Sequence, residues 1–233
     1  MKIRDFLSQI LLLGLMLILV SFSLSYKAHW LITSFFLILL VVLMFILEFE
    51  RRTIDTRLIS SLGILTATAV VSRQILHSVG GASPVFFFVI LGGYVFGPMF
   101  GFMLGCLTIF LSNFFLGHGP WTPFQMIGLG FIGAFAGLLP NKKSIFRRII
   151  LASYGFLTAY FYGAVTNLFY WLAFTAEHTL KTFIAISLAS LSFDTTRAIF
   201  NAFLLFLLSA PVLKIMERQK KKISTGKQLE GDS

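Results

Sequence analysis

Residues 85–126 read VFFFVILGGYVFGPMFGFMLGCLTIFLSNFFLGHGPWTPFQM, and no Asp, Glu, Lys or Arg interrupts them. A helix needs about 20 residues to cross the hydrocarbon core, and a backbone inside lipid must satisfy its own polar groups. A charge-free run of this length therefore reads as membrane-embedded helix. Gly97-Pro98 divides it once; Gly117, Gly119, Pro120 and Pro123 divide it again. Proline lacks the N–H that regular structure needs, and glycine admits conformations that other residues avoid. The stretch predicts two short helices, 85–98 and 100–116, meeting in a tight hairpin, then an irregular connection and a third helix that starts near 121. Gly92, Gly93, Gly97, Gly101 and Gly105 permit dense packing of the first two.

The whole chain shares this character. It is 57% hydrophobic and 12% charged, whereas soluble domains carry about 25% charged residues, so an ordinary soluble domain is excluded. Further apolar runs near 7–26, 30–48, 58–78, 121–139, 148–175 and 181–214 bring the candidate helices to eight. The fold class is all-α, a polytopic membrane helical bundle.

A net charge of +10 raises the question of nucleic acid, but nearly all the cations sit in four clusters between or beyond the apolar runs. They are Lys2 and Arg4; Arg51, Arg52 and Arg57; Lys142, Lys143, Arg147 and Arg148; and Lys214, Arg218, Lys220, Lys221, Lys222 and Lys227. The alternate loops hold only Lys27 and Lys181. This is the positive-inside pattern of a lipid-embedded protein, with no nucleic-acid motif. It predicts a multi-pass protein of the bacterial inner membrane with both termini in the cytoplasm. His29, His77, His118 and His178 then fall at or near the outer face. Lys2, Arg4, the apolar run and Ser23 and Ser25 also have the order of a signal peptide. Because the run is long enough to span and no Ala-x-Ala ends it, an uncleaved span is the reading adopted. Cys106 lies within an apolar run and reads as a buried structural thiol.

Enzyme chemistry finds little to stand on. The sequence has no His-Glu-x-x-His, Gly-x-Ser-x-Gly or Asp-rich diphosphate motif, its histidines are scattered singly, and no cofactor or metal site is indicated. Without a Walker A loop, active transport needs another subunit for its energy. The informative groups are polar residues inside apolar runs, which face a bundle interior or a wet cavity. Arg73 ends the third candidate helix with no acidic neighbour in sequence. Asp194 and Arg197 lie one turn apart in the eighth, with Asn201 one turn on. Two readings stand for that pair: a structural lock at i,i+3, or contact with a polar solute.

The segment Ser112–Met126 offers Asn113, His118 and Gln125 as neutral donors and acceptors, and Trp121 as a flat face for stacking. Its bland reading is a turn with Trp121 in the interfacial aromatic belt. On the seventh helix Tyr160 and Asn167 share a face, with Trp171 one turn beyond and Tyr162 and Tyr170 nearby. Gly63 and Ala67, four apart and followed by Ala69, form a small-residue face that packs either within the chain or against a partner.

These residues carry a resemblance. Arg73 after a small-residue helix face, Gly92-Gly93-Tyr94-Val95-Phe96-Gly97-Pro98 with Gly101 and Gly105, and the run from Ser112-Asn113-Phe114-Phe115 to Pro120-Trp121-Thr122-Pro123 are similar to substrate-binding S components of energy-coupling factor (ECF) vitamin transporters. So is the last helix, where Asp194, Arg197, Ala198 and Asn201 precede Pro211 and a basic tail. The resemblance implies a six-helix core over 58–216; the two N-terminal helices and basic loop over 1–57 exceed that core, and a basic cytoplasmic tail over 217–233 follows it. It implies a binding subunit rather than an enzyme, one that captures a vitamin-like solute from outside and works with a T component and two ABC ATPases.

Gly63 and Ala67 correspond to the family's T-component contact, with Gly where Ala is usual. Arg73, Asn113, His118, Trp121, Gln125, Tyr160, Asn167, Asp194 and Arg197 are the expected substrate-binding residues. The Asn-Phe-Phe and Pro-Trp-Thr-Pro run resembles members associated with cobalamin or other corrinoids. The alternative class is a non-transporting membrane scaffold of the rod-shape MreD type, which has a similar architecture.

Overall fold

The computed structural model of the chain describes residues 56–76, 80–141 and 145–231, together with the helical residues Phe35, Phe36, Ile38, Leu39 and Leu43. The expected N-terminal pair of helices, 7–26 and 30–48, otherwise lies outside the described residues, as do His29 and His77. Every element among the described residues is a helix: α1 (Thr56–Ile75), α2 (Val85–Phe96), α3 (Pro98–Leu116), α4 (Thr122–Ala136), α5 (Ile145–Phe174), α6 (Leu180–Ala189) and α7 (Leu191–Gly231). Helices α1, α3, α5 and α7 as far as Ile223 are long and apolar enough to cross a membrane; α2, α4 and α6 are shorter apolar helices. The expected all-α membrane bundle is the fold observed.

The α2–α3 hairpin closes on Gly97. Its φ of 105° is a conformation that side chains disfavour, and its N–H donates to Gly93 O at 2.8 Å. Pro98 then opens α3 in the first turn, where a missing N–H leaves nothing unpaired. Helix α4 packs into this hairpin through glycines. Gly93 and Gly101 both lie against the main chain of Gly133, and Gly105 lies against that of Leu129. A Cβ at any of the three would overlap backbone rather than a side chain that can turn aside. Ile90, Leu91, Leu104, Leu129 and Ile132 are fully buried around the contact.

A second close pair joins α5 to α7, where Gly155 admits Leu205 and Asn201, and Gly163 admits the Asp194 carboxylate. The candidate helix 181–214 departs from expectation at both ends. It divides at Ser190, whose hydroxyl donates back to Ser187 O at 3.1 Å and to Asp194 Oδ2 at 3.0 Å. Such back-bonding competes with the regular ladder and bends helices. A capping box of Thr179 and Thr182 starts α6. At the far end, α7 continues through Pro211 to Gly231, so the basic segment beyond residue 216 is helical. Proline removes one N–H and crowds the carbonyl one turn back, a defect that membrane helices accommodate.

Basic groups gather at one end of the bundle. Arg57 at the start of α1 donates to Lys222 O at 3.2 Å, Arg147 at the start of α5 pairs with Glu217 at 2.8 Å, and Lys220 reaches Val95 O at 2.5 Å. The Gly80–Ser83 turn and the Gly117–Trp121 connection lie at the other ends of these helices.

The glycine contacts set a test of the packing. Gly101→Val should destabilise the protein by about 1–3 kcal/mol or more through overpacking and lower its thermal unfolding midpoint in detergent. Gly63→Val, where the added group meets open space, should leave the midpoint unchanged.

Candidate functional site

At the end of the bundle away from the basic cluster, three helix termini are tied by one chain of hydrogen bonds. Arg73, in the last turn of α1, donates through Nη1 to Ser112 Oγ and to Asn113 Oδ1, the latter at 2.9 Å. Asn113 Nδ2 passes the polarity on, donating to Thr122 Oγ1 at 3.1 Å and to Gln125 Oε1 at 2.9 Å. Ser112, Asn113 and Thr122 are buried, whereas Arg73 and Gln125 are half-buried.

The local sequence explains why these groups meet. Gly117, at φ 100°, ends α3 by donating to Asn113 O at 2.8 Å. The chain then turns through Gly119, whose O accepts from Thr122 N at 2.9 Å, and Pro123 occupies the first turn of α4. The irregular connection thus brings α4 back alongside α3 with its first polar residues beside Asn113.

A second polar group faces the first. Arg197 pairs with Asp194 Oδ1 at 2.7 Å, and both side chains are about nine-tenths buried. Asp194 Oδ2 accepts from Ser190, which in turn accepts from Asn167 Nδ2 at 2.7 Å. The Arg197 guanidinium carbon lies 5.1 Å from the Phe193 ring, 5.2 Å from Tyr162 and 5.9 Å from Phe86. Pairing and three aromatic faces offset the cost of a cation within the bundle.

Between the two groups is a cavity of about 210 Å³, lined by Arg73, Ser83, Phe86, Gln125, Tyr162 and Arg197 among others. Arg197 is neutralised by Asp194. The hydrogen-bonding partners of Arg73 are neutral, and no ion pair among the described residues includes it. The wall therefore carries one positive charge beyond its negative ones, a few ångströms from apolar core.

Residues 57–209 match the family of ECF transporter substrate-specific components. The chain belongs to that family. No curated protein and no solved structure matched it. Membership makes the protein a substrate-specific subunit of a transporter rather than an enzyme, of a kind that associates with a T component and ATPases. The matched span runs from the start of α1 to Ser209 in α7 and includes both sides of the cavity.

Within this S component the expected site residues separate. Arg73, Gln125 and Arg197 line the cavity. Asn113 and Asp194 stand directly behind them as hydrogen-bond and ion-pair partners. Asn167 reaches Asp194 through Ser190, and Tyr160 meets Thr195 Oγ1 at 3.1 Å, so both brace α5 against α7. Two residues lie away from the cavity. His118 is exposed and packs on Phe110 and Phe114, and Trp121 is 39% exposed and folds over Gly119.

Sequence reasoning did not single out Tyr162, Ser83 or Phe86 as lining groups. The spacing of Gly155 and Gly163 on α5 was a usable signal for Tyr162, because it marks the face turned to α7. Ser83 and Phe86 arrive from a turn whose path no local pattern specifies. Gly63 and Ala67 lie exposed on α1 beside Ile64 and Val71, whereas Ala69 is buried in the bundle.

Asp194→Asn should remove the charge that balances Arg197 and cost about 3–5 kcal/mol, read as a fall in the unfolding midpoint. Replacing Arg197 by Met in the same protein should recover part of that loss. Gly163→Ala, whose methyl would overlap the Asp194 carboxylate, should behave like Asp194→Asn.

Proposed function

We propose that this S component captures a vitamin or related micronutrient from the outer face of a bacterial inner membrane, in the cavity between Arg73 and Arg197. It passes the solute inward with a T component and two ABC ATPases that hydrolyse the ATP. The observation that carries the reading is the cavity itself: a mainly apolar pocket into which Arg73, Gln125 and Arg197 bring charge and polarity, at the end opposite the basic cluster. By the positive-inside rule that basic end lies in the cytoplasm, with both chain termini, and the cavity faces out. The exposed stripe of Gly63 and Ala67 supports a docking face for the T component, since small residues let a partner helix approach closely.

The scaffold alternative has no use for a cationic cavity, and family membership favours transport over it. The resemblance of the Ser112–Pro123 run supports a corrinoid as the solute, cobalamin first. In the present conformation the cavity, at about 210 Å³, is smaller than the roughly 300–1,000 Å³ typical of ligand pockets. A corrinoid therefore requires the Gly80–Ser83 turn or the Gly117–Trp121 connection to move outward.

Affinity purification of the tagged protein should recover a T component and an ATPase pair; recovery of cell-wall synthesis proteins in their place would sink the transport reading. Labelled cobalamin should bind the purified protein. Asn113→Ala, which removes a partner from both Arg73 and Gln125, should weaken it by about tenfold or more. Trp121→Ala should weaken it less, because Trp121 lies outside the cavity in this conformation.

A further inference from the structure

We infer that the solute presents an anionic oxygen group, a carboxylate or a phosphate ester, to Arg73 and Gln125; the inference rests on the transport reading and specifies its chemistry. It follows from where donors and acceptors are already committed. Arg73 engages Ser112 and Asn113 through Nη1 alone. Its Nε and Nη2 have no hydrogen-bond partner among the described residues, and this edge of a guanidinium is the one that matches two oxygens of a carboxylate or phosphate.

The orientation of Asn113 then decides that of Gln125. Its Oδ1 faces Arg73, so its Nδ2 faces α4 and donates to Gln125 Oε1. Gln125 is held by its oxygen, leaving its Nε2 donors unused on a residue that lines the cavity. The Tyr162 hydroxyl also has no hydrogen-bond partner among the described residues, and Ser83 adds another hydroxyl to the wall. The one carboxylate nearby among the described residues, Asp194, has both oxygens engaged elsewhere, on Arg197 and Ser190. What remains facing the cavity is one uncompensated cation and a set of donors. A cation with neutral partners at a desolvated site is costly unless something anionic fills the place, and an acceptor-rich anion satisfies both the charge and the donors.

The test measures equilibrium binding to the full-length protein in nanodiscs, using matched pairs that differ in the anionic group. Nicotinate is set against nicotinamide, biotin against biotinamide, pantothenate against pantothenol, and cobalamin against cobinamide, which lacks the phosphodiester arm. The anionic member of the pair that binds should be favoured by about tenfold or more. The identity of that pair distinguishes carboxylate from phosphate ester. Arg73→Gln should erase the preference, and Arg73→Lys should retain part of it as charge without the fork. Gln125→Glu should erase it by supplying an anion beside Arg73, while its oxygen still accepts from Asn113. Unfolding midpoints of the variants identify any that lose the fold, and the remaining variants decide the result. Equal binding of the neutral member, or an unchanged ratio in a folded Arg73→Gln protein, overturns the inference and leaves the transport reading intact. Failure of every pair to bind overturns the inference, and the transport reading is then decided by recovery of the T component and ATPases.

Discussion

Where α2, α3 and α4 converge, Gly93, Gly101 and Gly133 set main chain against main chain with no side chain between them. In water such a contact would add little to the burial of large side chains. In lipid the balance differs, because the surrounding tails are as apolar as leucine and burial alone gives helices little reason to associate. Attraction then comes from dispersion between closely apposed atoms, which falls away with a gap of half an ångström to one ångström. A methyl group at any of the three glycines would hold the helices apart by more than that.

The polar site depends on the same contact. Gly101 faces Gly133, Gly105 faces Leu129 and Asn113 meets Thr122, all in one antiparallel register of α3 with α4. The glycines set the distance between the two helices and the register sets which residues oppose one another. Together they place Asn113 within reach of Gln125 at 2.9 Å. From there Asn113 holds Arg73 on α1, so the arginine is positioned by packing that begins in the glycine contact. On the other side, Gly155 and Gly163 bring α5 against α7, and the space at Gly163 is occupied by the Asp194 carboxylate. Each polar half of the cavity is therefore seated on its own small-residue interface.

Much of this was legible in the sequence because lipid makes the pattern severe. A charge-free run, a Gly-Pro break and recurring glycines led directly to the α2–α3 hairpin and its dense packing. Arginine and aspartate inside apolar runs drew attention to Arg73, Asp194 and Arg197 for the same reason. The break at Ser190 was not legible, since the serine is held by Asn167 from α5 and Asp194 from α7, and no local pattern contains both partners. The candidate helix 181–214 already ran through Pro211, but the sequence did not show that α7 continues beyond residue 214 to Gly231, because the apolar run that marks a membrane helix ends there. The same limit separates lining groups from their supports. Asn113 and Gln125 read alike as polar residues near a turn, yet one is buried as a brace and the other borders the cavity.

The two arginines show how partner chemistry divides otherwise similar groups. Arg197 has a carboxylate at 2.7 Å and is neutral as a pair, so its place is within the packing of α7 against its neighbours. Arg73 has Asn113 where an aspartate would have nearly the same shape. An aspartate there would satisfy the same donors and cancel the charge. The amide satisfies them without cancelling it, and its nitrogen supplies the donors that Thr122 and Gln125 accept. A carboxylate has no hydrogen to donate, so Gln125 Oε1 would lose this partner and Thr122 Oγ1 would keep only the Gly119 N–H. One nitrogen in place of an oxygen thus accomplishes two things: it ties α3 to α4, and it leaves the cavity wall cationic.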